Sequence, residues 1–168
     1  MGDAGRRGTA EVFDDLAGDL VSTMLIVTAR RGDERSGFLV GFSTQISIDP
    51  GRFLVCLSVA NHTYGLAEEA THLAVHVLPA GAKPLAELFG GETGDEVDKF
   101  AKCGWTDGPE GLPILDGCPS WFVGAVAERI RFGDHVGFVL DPVAAAHGSA
   151  APPLTLPQVE DIEPGHDA

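Results

Sequence analysis

Basic residues are scarce in this sequence. Lysine and arginine total 11 against 25 aspartates and glutamates, which gives the 168-residue chain a formal net charge of −14. A strongly acidic surface repels phosphate backbones and anionic headgroups, so we expect neither a nucleic-acid partner nor docking on a membrane. An anionic ligand would have to be held by local hydrogen-bond donors rather than by a broad positive field.

Long apolar runs are also missing, and we expect no amino-terminal leader. No window approaches the roughly 18 consecutive apolar residues of a membrane span. No apolar stretch follows the first residues, as a secretory signal would require, and Arg6 stands where a myristoylation signal carries Ser or Thr. Cysteines are few as well. The chain has only Cys56, Cys103 and Cys118, an odd number, and no two of them form a Cys-x-x-Cys pair. These features predict reduced thiols and a cytoplasmic protein, with Cys56 packed in the core.

Most motifs of catalytic chemistry are absent. The sequence contains no Gly-x-Ser-x-Gly, no Walker sequence and no Gly-x-Gly-x-x-Gly after a strand. His72 and His76 have a spacing that would chelate zinc on a helix, but their segment is typical of a strand. Four strand residues separate the two imidazoles by ~13 Å, so we expect no metal site.

The elements that are present are mainly strands separated by turns. The 22 glycines and 11 prolines indicate many turns, and 44% hydrophobic residues suffice for the core of one domain. We predict strands over residues 24–29, 36–44, 53–58, 73–78, 121–130 and 135–143, and helices over residues 9–20, 61–70, 83–89 and 95–102. Thr9 is expected to cap the first helix, and Gly37 and Gly41 indicate a bulge or a close approach to the second strand. Residues 144–168 are expected to form a poorly ordered or extended tail.

One local arrangement suits an anion. The strand over residues 53–58 leads into Asn61, His62 and Thr63, and a helix follows. Free backbone N–H groups, an amide, an imidazole and a hydroxyl together can cradle a phosphate. The same residues can also serve as an ordinary helix cap through Asn61 or Thr63.

Four stretches, in this order, resemble the flavin reductase-like family with the FMN-binding split barrel. They are residues 37–50 (GFLVGFSTQISIDP), residues 54–58 (LVCLS) followed by Asn61-His62-Thr63, residues 98–101 (DKFA) and residues 133–135 (GDH). The resemblance covers about residues 13–143. It implies a mainly β protein with peripheral helices, an antiparallel split β-barrel, whose flavin-binding domain spans residues 9–143 and precedes an acidic Ala/Pro-rich tail over residues 144–168.

The family's motifs also imply site residues. By this resemblance, His135 lies on the nicotinamide side of the flavin, where it orients the nicotinamide or is merely a turn residue bonded to Asp134. The residues implied to contact the flavin are Gly41, Phe42, Ser43, Thr44, Ser58, Asn61, His62 and Thr63. The family commonly has Thr and Ser where this chain has Leu39, Gly41 and Phe42. Ser43, Thr44 and backbone N–H groups would have to substitute, and Phe42 either stacks on a ring or belongs to the core.

The resemblance implies an NAD(P)H-dependent FMN reductase. Hydride would pass from NADH or NADPH to FMN, with FAD as an alternative flavin, in a homodimer that supplies reduced flavin to a monooxygenase. A non-catalytic flavin-binding electron-transfer protein is the second hypothesis, and a plain structural domain is a further one. A deazaflavin-dependent enzyme is disfavoured, because the polyglutamate tail of its coenzyme requires a basic groove and this chain has a charge of −14.

Overall fold

The computed structural model describes residues 8–20, 22–61, 64–91, 97–148 and 151–165. The helices there are α1 (Thr9–Gly18), α2 (Tyr64–Glu68) and α3 (Lys83–Gly91). The strands are β1 (Leu25–Arg31), β2 (Glu34–Val40), β3 (Ser43–Ile48), β4 (Gly51–Ser58), β5 (His72–Val77), β6 (Trp105–Asp107), β7 (Pro113–Leu115), β8 (Trp121–Arg131) and β9 (His135–Ala146).

A single curled sheet contains seven of these strands. Its order is β2-β1-β5-β8-β9-β4-β3, and each neighbouring pair is antiparallel. The register between the long strands β8 and β9 shifts at two places, and such bulges increase the bend of a sheet. β2 and β3 are consecutive in the chain but lie at opposite edges of the sheet. This architecture confirms the expected mainly β fold of the split-barrel type with peripheral helices.

The concave face of the sheet encloses the main core. Side chains that alternate along the strands point inward, and α2 contributes Leu66 and Ala67. The fully buried members include Val27 of β1, Val55 of β4 and Phe138 of β9. The edge strand β2 and the strand β4, which lies next to the opposite edge, therefore share one apolar interior, and this explains why the sheet curls.

A second apolar layer, called the outer apolar layer below, covers the outer face of β1 and β2. Phe89 of α3 packs so closely on Gly37 of β2 that a Cβ at Gly37 would overlap its ring, which confirms the close approach predicted at this glycine. Within the predicted tail, residues up to Ala146 extend β9, and residues 151–165 belong to the outer apolar layer. Leu154 and Val159 are buried there, and the Met24 N–H donates to the Leu154 carbonyl oxygen at 2.8 Å. Of the two expectations for the tail, poorly ordered or extended, the first is therefore wrong for residues 151–165, because their apolar side chains complete a core.

Helix α1 differs from this pattern, because none of its residues is buried. Phe13 and Leu16 of its apolar stripe are 63% and 61% exposed. The helix forms where it was predicted, but Gly8 rather than Thr9 is the residue before its first turn, and no side chain caps it. An apolar stripe without intramolecular cover needs a separate physical explanation.

Three further segments differ from the sequence prediction. The strand predicted over residues 36–44 is interrupted at Gly41 and Phe42, so that it forms the end of β2 and the start of β3. Within the helix predicted over residues 95–102, the described part has only a short 3-10 turn at Lys99–Ala101, and Asp98 accepts a hydrogen bond from the Phe100 N–H. The short strands β6 and β7 were not predicted. Among the described helices, none is long and apolar enough to cross a membrane.

A buried histidine connects three strands. His76 is on β5, as the strand prediction for His72 and His76 required, and its side chain is inaccessible to solvent. The Leu115 N–H of β7 donates to its Nε2 at 3.2 Å, so Nδ1 carries the proton and donates to the Ile26 carbonyl of β1 at 3.0 Å. Burial lowers the pKa of His76 to about 4, against a weaker opposing effect of the Ile26 hydrogen bond.

This histidine makes stability depend on pH. Between pH 6.5 and about 4 the unfolded chain protonates His76 while the folded chain does not, so stability falls as the pH falls through that window. A shift of this size corresponds to about 3 kcal/mol. We expect urea unfolding at several pH values to show this loss in the wild type. His76→Gln should be less stable at pH 7 but lose less on acidification, whereas the exposed-site control His147→Gln should follow the wild type. Parallel pH curves for wild type and His76→Gln would contradict the assignment.

Candidate functional site

A pocket of about 380 Å³ lies between the curled sheet and residues 151–165, which are called the C-terminal segment below. This volume is within the usual range of small-molecule sites. The sheet, the loop after β4 and α3 supply Met24, Phe38, Leu39, Val40, Gly41, Phe42, Cys56, Leu57, Ser58, Asn61, Phe89, Gly90 and His135. The C-terminal segment supplies Leu156, Val159, Glu160, Ile162 and Pro164. The walls are mostly apolar, with a few polar groups.

The interruption between β2 and β3 forms one wall. Gly41 and Phe42 lie in this gap, and the Cys56 N–H of β4 donates to the Phe42 carbonyl oxygen at 2.9 Å. A Cβ at Gly41 would meet only Met24 and Leu156, at 3.7 Å or more, so the glycine widens the pocket without being required by a clash. Phe42 is 58% exposed, which contradicts its assignment to the core. An exposed ring beside the pocket is available to a planar ligand.

Three predicted polar residues meet at one end of the pocket. Ser58, at the end of β4, is paired in register with His135, at the start of β9. The Val59 N–H donates to the Asp134 carbonyl oxygen at 3.0 Å, which continues this pairing beyond the strand. The Asn61 N–H donates to the Ser58 carbonyl at 3.2 Å, and the turn thereby brings Asn61 back to the same end. The end of the β4–β9 ladder thus gathers a hydroxyl, an amide and an imidazole.

His135 is held by its neighbours on both sides. Its Nδ1 lies 2.8 Å from Oδ1 of Asp134, and its ring centroid lies 5.0 Å from that of Phe42. The hydrogen bond from His135, with a smaller contribution from its charge, lowers the pKa of the Asp134 carboxyl. In the tautomer whose Nδ1–H donates to Asp134, Nε2 of His135 is a hydrogen-bond acceptor.

Two predicted contact residues lie outside the pocket. Ser43 and Thr44 begin β3, and neither lines the pocket wall. The exposed Thr44 hydroxyl donates to the Gln45 carbonyl oxygen at 3.2 Å. The predicted substitution of these hydroxyls for the family's Thr and Ser therefore has no support in the position of β3. His62 and Thr63 of the predicted phosphate cradle are outside the described residues.

The C-terminal segment is the part of the site that the sequence analysis missed. Its apolar residues 154, 156, 159 and 162 recur every two or three positions among prolines and acids. That periodicity was a usable signal for a packed segment, but it does not indicate which surface the segment covers. Hydrogen bonds to residues next to the ends of β1 and β5 place the C-terminal segment over the pocket. In one of them, the Leu154 N–H donates to the Leu78 carbonyl oxygen at 2.7 Å.

Cys56 is a pocket residue rather than a core residue. Its side chain is only partly buried, and burial raises the pKa of its thiol. The fully buried cysteine is Cys118, in the outer apolar layer, where burial raises the thiol pKa to about 12. All three cysteines are free. Raised thiol pKa values indicate poor nucleophiles, so these thiols do not point to covalent catalysis.

The charged groups around the pocket are sparse. Among the described residues that line it, Glu160 carries the only charged side chain apart from the titratable His135, and neither Lys nor Arg is present. Within the described ranges, no group of three His, Cys, Asp or Glu residues is arranged to hold a metal ion. The site therefore offers apolar walls, hydrogen-bonding groups and one carboxylate.

Comparisons with known proteins agree with this geometry. The family model of the flavin reductase like domain matches residues 17–158. A Rhizobium meliloti (strain 1021) protein named "Probable flavin reductase" is 32% identical over 76% of this chain and 42% of its own length. The stachydrine N-demethylase reductase subunit Stc3 of the same strain is 30% identical over 77% of this chain and 58% of its own length. This chain thus spans about half the length of these two relatives.

Solved structures share the fold. The FMN-binding protein from Thermus thermophilus with bound p-hydroxybenzaldehyde matches with a TM-score of 0.70 and 29% identity, over 75% of this chain and 71% of that chain. The NADH:FAD oxidoreductase SgcE6 of Streptomyces globisporus C-1027 matches with a TM-score of 0.81 over 92% of this chain and 93% of that chain. At 23% identity the latter shows a common fold alone.

Proposed function

The chain belongs to the family of flavin reductase-like domains, and on that premise we propose that it reduces FMN with NADH or NADPH as hydride donor. The observation that carries the proposal is the convergence of Gly41, Phe42, Ser58, Asn61 and His135 on one pocket. These residues come from three of the four stretches that resemble the family's motifs. The curled sheet brings them together although up to 94 positions separate them in the sequence.

The pocket suits a flavin in size and chemistry. Its volume of about 380 Å³ and its walls of Leu39, Phe42 and Leu156 favour a flat, largely apolar ring system. Gly41 leaves room for a ring to approach the backbone. A bound flavin supplies the hydride-accepting chemistry, so the protein needs no nucleophile or acid–base pair of its own.

The polar end of the pocket would hold the polar parts of the two nucleotides. We assign Ser58 and Asn61, with His62 and Thr63 from the sequence motif, to the ribityl-phosphate side of FMN. No Lys or Arg is found among the described lining residues, so neutral donors would hold the phosphate. The Nε2 acceptor of His135 is suited to the carboxamide N–H of nicotinamide.

We expect the reaction itself to be directly visible. Under anaerobic conditions, NADH or NADPH should bleach the visible absorbance of FMN mixed with the protein. With FMN in excess, many equivalents should be reduced per protein, because a reductase releases its product. Absence of bleaching with both nucleotides, despite FMN binding, would contradict the reductase function and favour the second hypothesis, a non-catalytic flavin-binding electron-transfer protein.

His135 provides a sharper prediction. If His135 orients the nicotinamide, His135→Ala should slow anaerobic flavin reduction in rapid mixing, by up to ~100-fold, and leave the dissociation constant of FMN nearly unchanged. The exposed His147→Ala variant is the matched control and should react as the wild type does. An unchanged rate would identify His135 as a turn residue whose role is its hydrogen bond to Asp134. A collapse of FMN binding would place His135 on the flavin instead.

The exposed apolar stripe of α1 supports a homodimer. Phe13, Leu16 and Leu20 are each more than 60% exposed, and a second copy of the chain would cover them at a subunit boundary near the flavin. Light scattering at micromolar concentration should give twice the chain's 17.5 kDa. The double variant Phe13→Ser, Leu16→Ser should dissociate, whereas Glu11→Gln on the same helix should not. A wild-type monomer that binds FMN would refute the dimer.

The reduced flavin would serve a separate enzyme. One of the relatives is named as the reductase subunit of a demethylase, and this name supports a protein whose product serves a second enzyme. We propose a monooxygenase as the partner. In a coupled assay, an added monooxygenase should turn over its substrate when this protein and a nicotinamide donor are the only source of reduced flavin. The bleaching of excess FMN, measured on the same protein sample, shows that reduced flavin is produced.

A further inference from the structure

The C-terminal segment places a carboxylate at the pocket. Glu160 lines the pocket wall and is exposed to solvent, so it stands at the mouth rather than in the interior. It has no ion-pair partner among the described residues. Glu163, on the same segment, is also exposed but does not line the pocket.

The residues on either side hold Glu160 in place. Val159 is buried in the outer apolar layer, and Asp161 accepts hydrogen bonds from the Lys83 ammonium through both carboxylate oxygens, at 2.9 and 2.8 Å. Ile162 returns the chain to the pocket wall. Two anchored neighbours restrict the backbone at residue 160, so this residue stays beside the pocket mouth.

The negative charge of Glu160 has no positive charge near it in the described pocket lining. The described pocket lining contains no Lys or Arg that would neutralise Glu160, and the whole chain carries a net charge of −14. The Lys83 charge is already shared with Asp161. An additional anionic group on a ligand at this mouth therefore meets repulsion without local compensation.

NADH and NADPH differ in the group that this carboxylate would sense. NADPH carries a 2′-phosphate of about −1.5 to −2 charges at neutral pH, where NADH has a ribose hydroxyl. A carboxylate accepts a hydrogen bond from such a hydroxyl but repels the phosphate. When the nicotinamide ring enters the pocket, the rest of the dinucleotide has to leave through the mouth.

We propose that Glu160 is a specificity-determining residue that favours NADH over NADPH. The inference rests on the proposed reductase function and adds the identity of the donor to it. Because Glu160 is exposed, water and salt weaken its field, and its effect extends over roughly one Debye length of ~8 Å. An effect of about three- to tenfold on NADPH is what two such charges within that range give.

The experiment compares both nucleotides on the full-length protein with FMN. We expect wild type to have the higher kcat/KM with NADH. Glu160→Gln should raise the ratio of kcat/KM for NADPH to kcat/KM for NADH about three- to tenfold, mainly through a lower KM for NADPH. Glu160→Lys should go further, and Glu163→Gln is the matched control that should change neither donor. Calorimetric titration with NAD⁺ and NADP⁺ measures the same discrimination without turnover, and high salt should reduce it.

The outcomes separate this inference from the function on which it rests. If neither nucleotide reduces FMN, the reductase function itself fails. If both reduce FMN but wild type prefers NADPH, or Glu160→Gln leaves the ratio of the two donors unchanged in kinetics and calorimetry, only the role of Glu160 is overturned. Equal effects of Glu160→Gln and Glu163→Gln would also overturn it, because the overall charge and not the position would then discriminate.

Discussion

The burial of β1 on both faces is the constraint on which the rest of the structure depends. Its inward side chains, such as Val27, pack in the core enclosed by the sheet, and Ile26 packs against the layer of α3 and the C-terminal segment. A strand covered on both sides must satisfy its polar neighbours internally. His76 does this as a neutral ring between β1 and β7, and the same burial keeps it from taking up a proton until the pH approaches about 4.

The pocket follows from this two-layered arrangement. The outer layer covers β1 and β2 up to the place where the strand is interrupted at Gly41 and Phe42, and the space left there is closed on the far side by the C-terminal segment. The polar end arises separately, from the end of the β4–β9 ladder that pairs Ser58 with His135. Apolar walls and polar groups thus come from different parts of the fold and meet at one place.

The chemistry of the pocket fits a protein whose cofactors carry the reactivity. The Cys56 thiol has a raised pKa, and the other ionisable side chains among the described lining residues are Glu160 and His135, which is hydrogen-bonded to Asp134. Family membership and this lining are compatible, because the proposed hydride transfer between two bound rings requires mainly that the protein position them.

The sequence by itself determined the mainly β architecture, the strand positions of His76 and His135, and the motifs that identify the family, because alternation, turn residues and short motifs are local properties. It assigned Gly41, Phe42, Ser58, Asn61 and His135 to a site, and the structure brings these together in one pocket. Only the tertiary structure decided that Ser43 and Thr44 lie away from that pocket, that Cys56 lines it, and that residues 151–165 form its far wall. The physical reason is that these facts depend on which surfaces pack together over long sequence separations, and apolar spacing alone does not specify the partner surface.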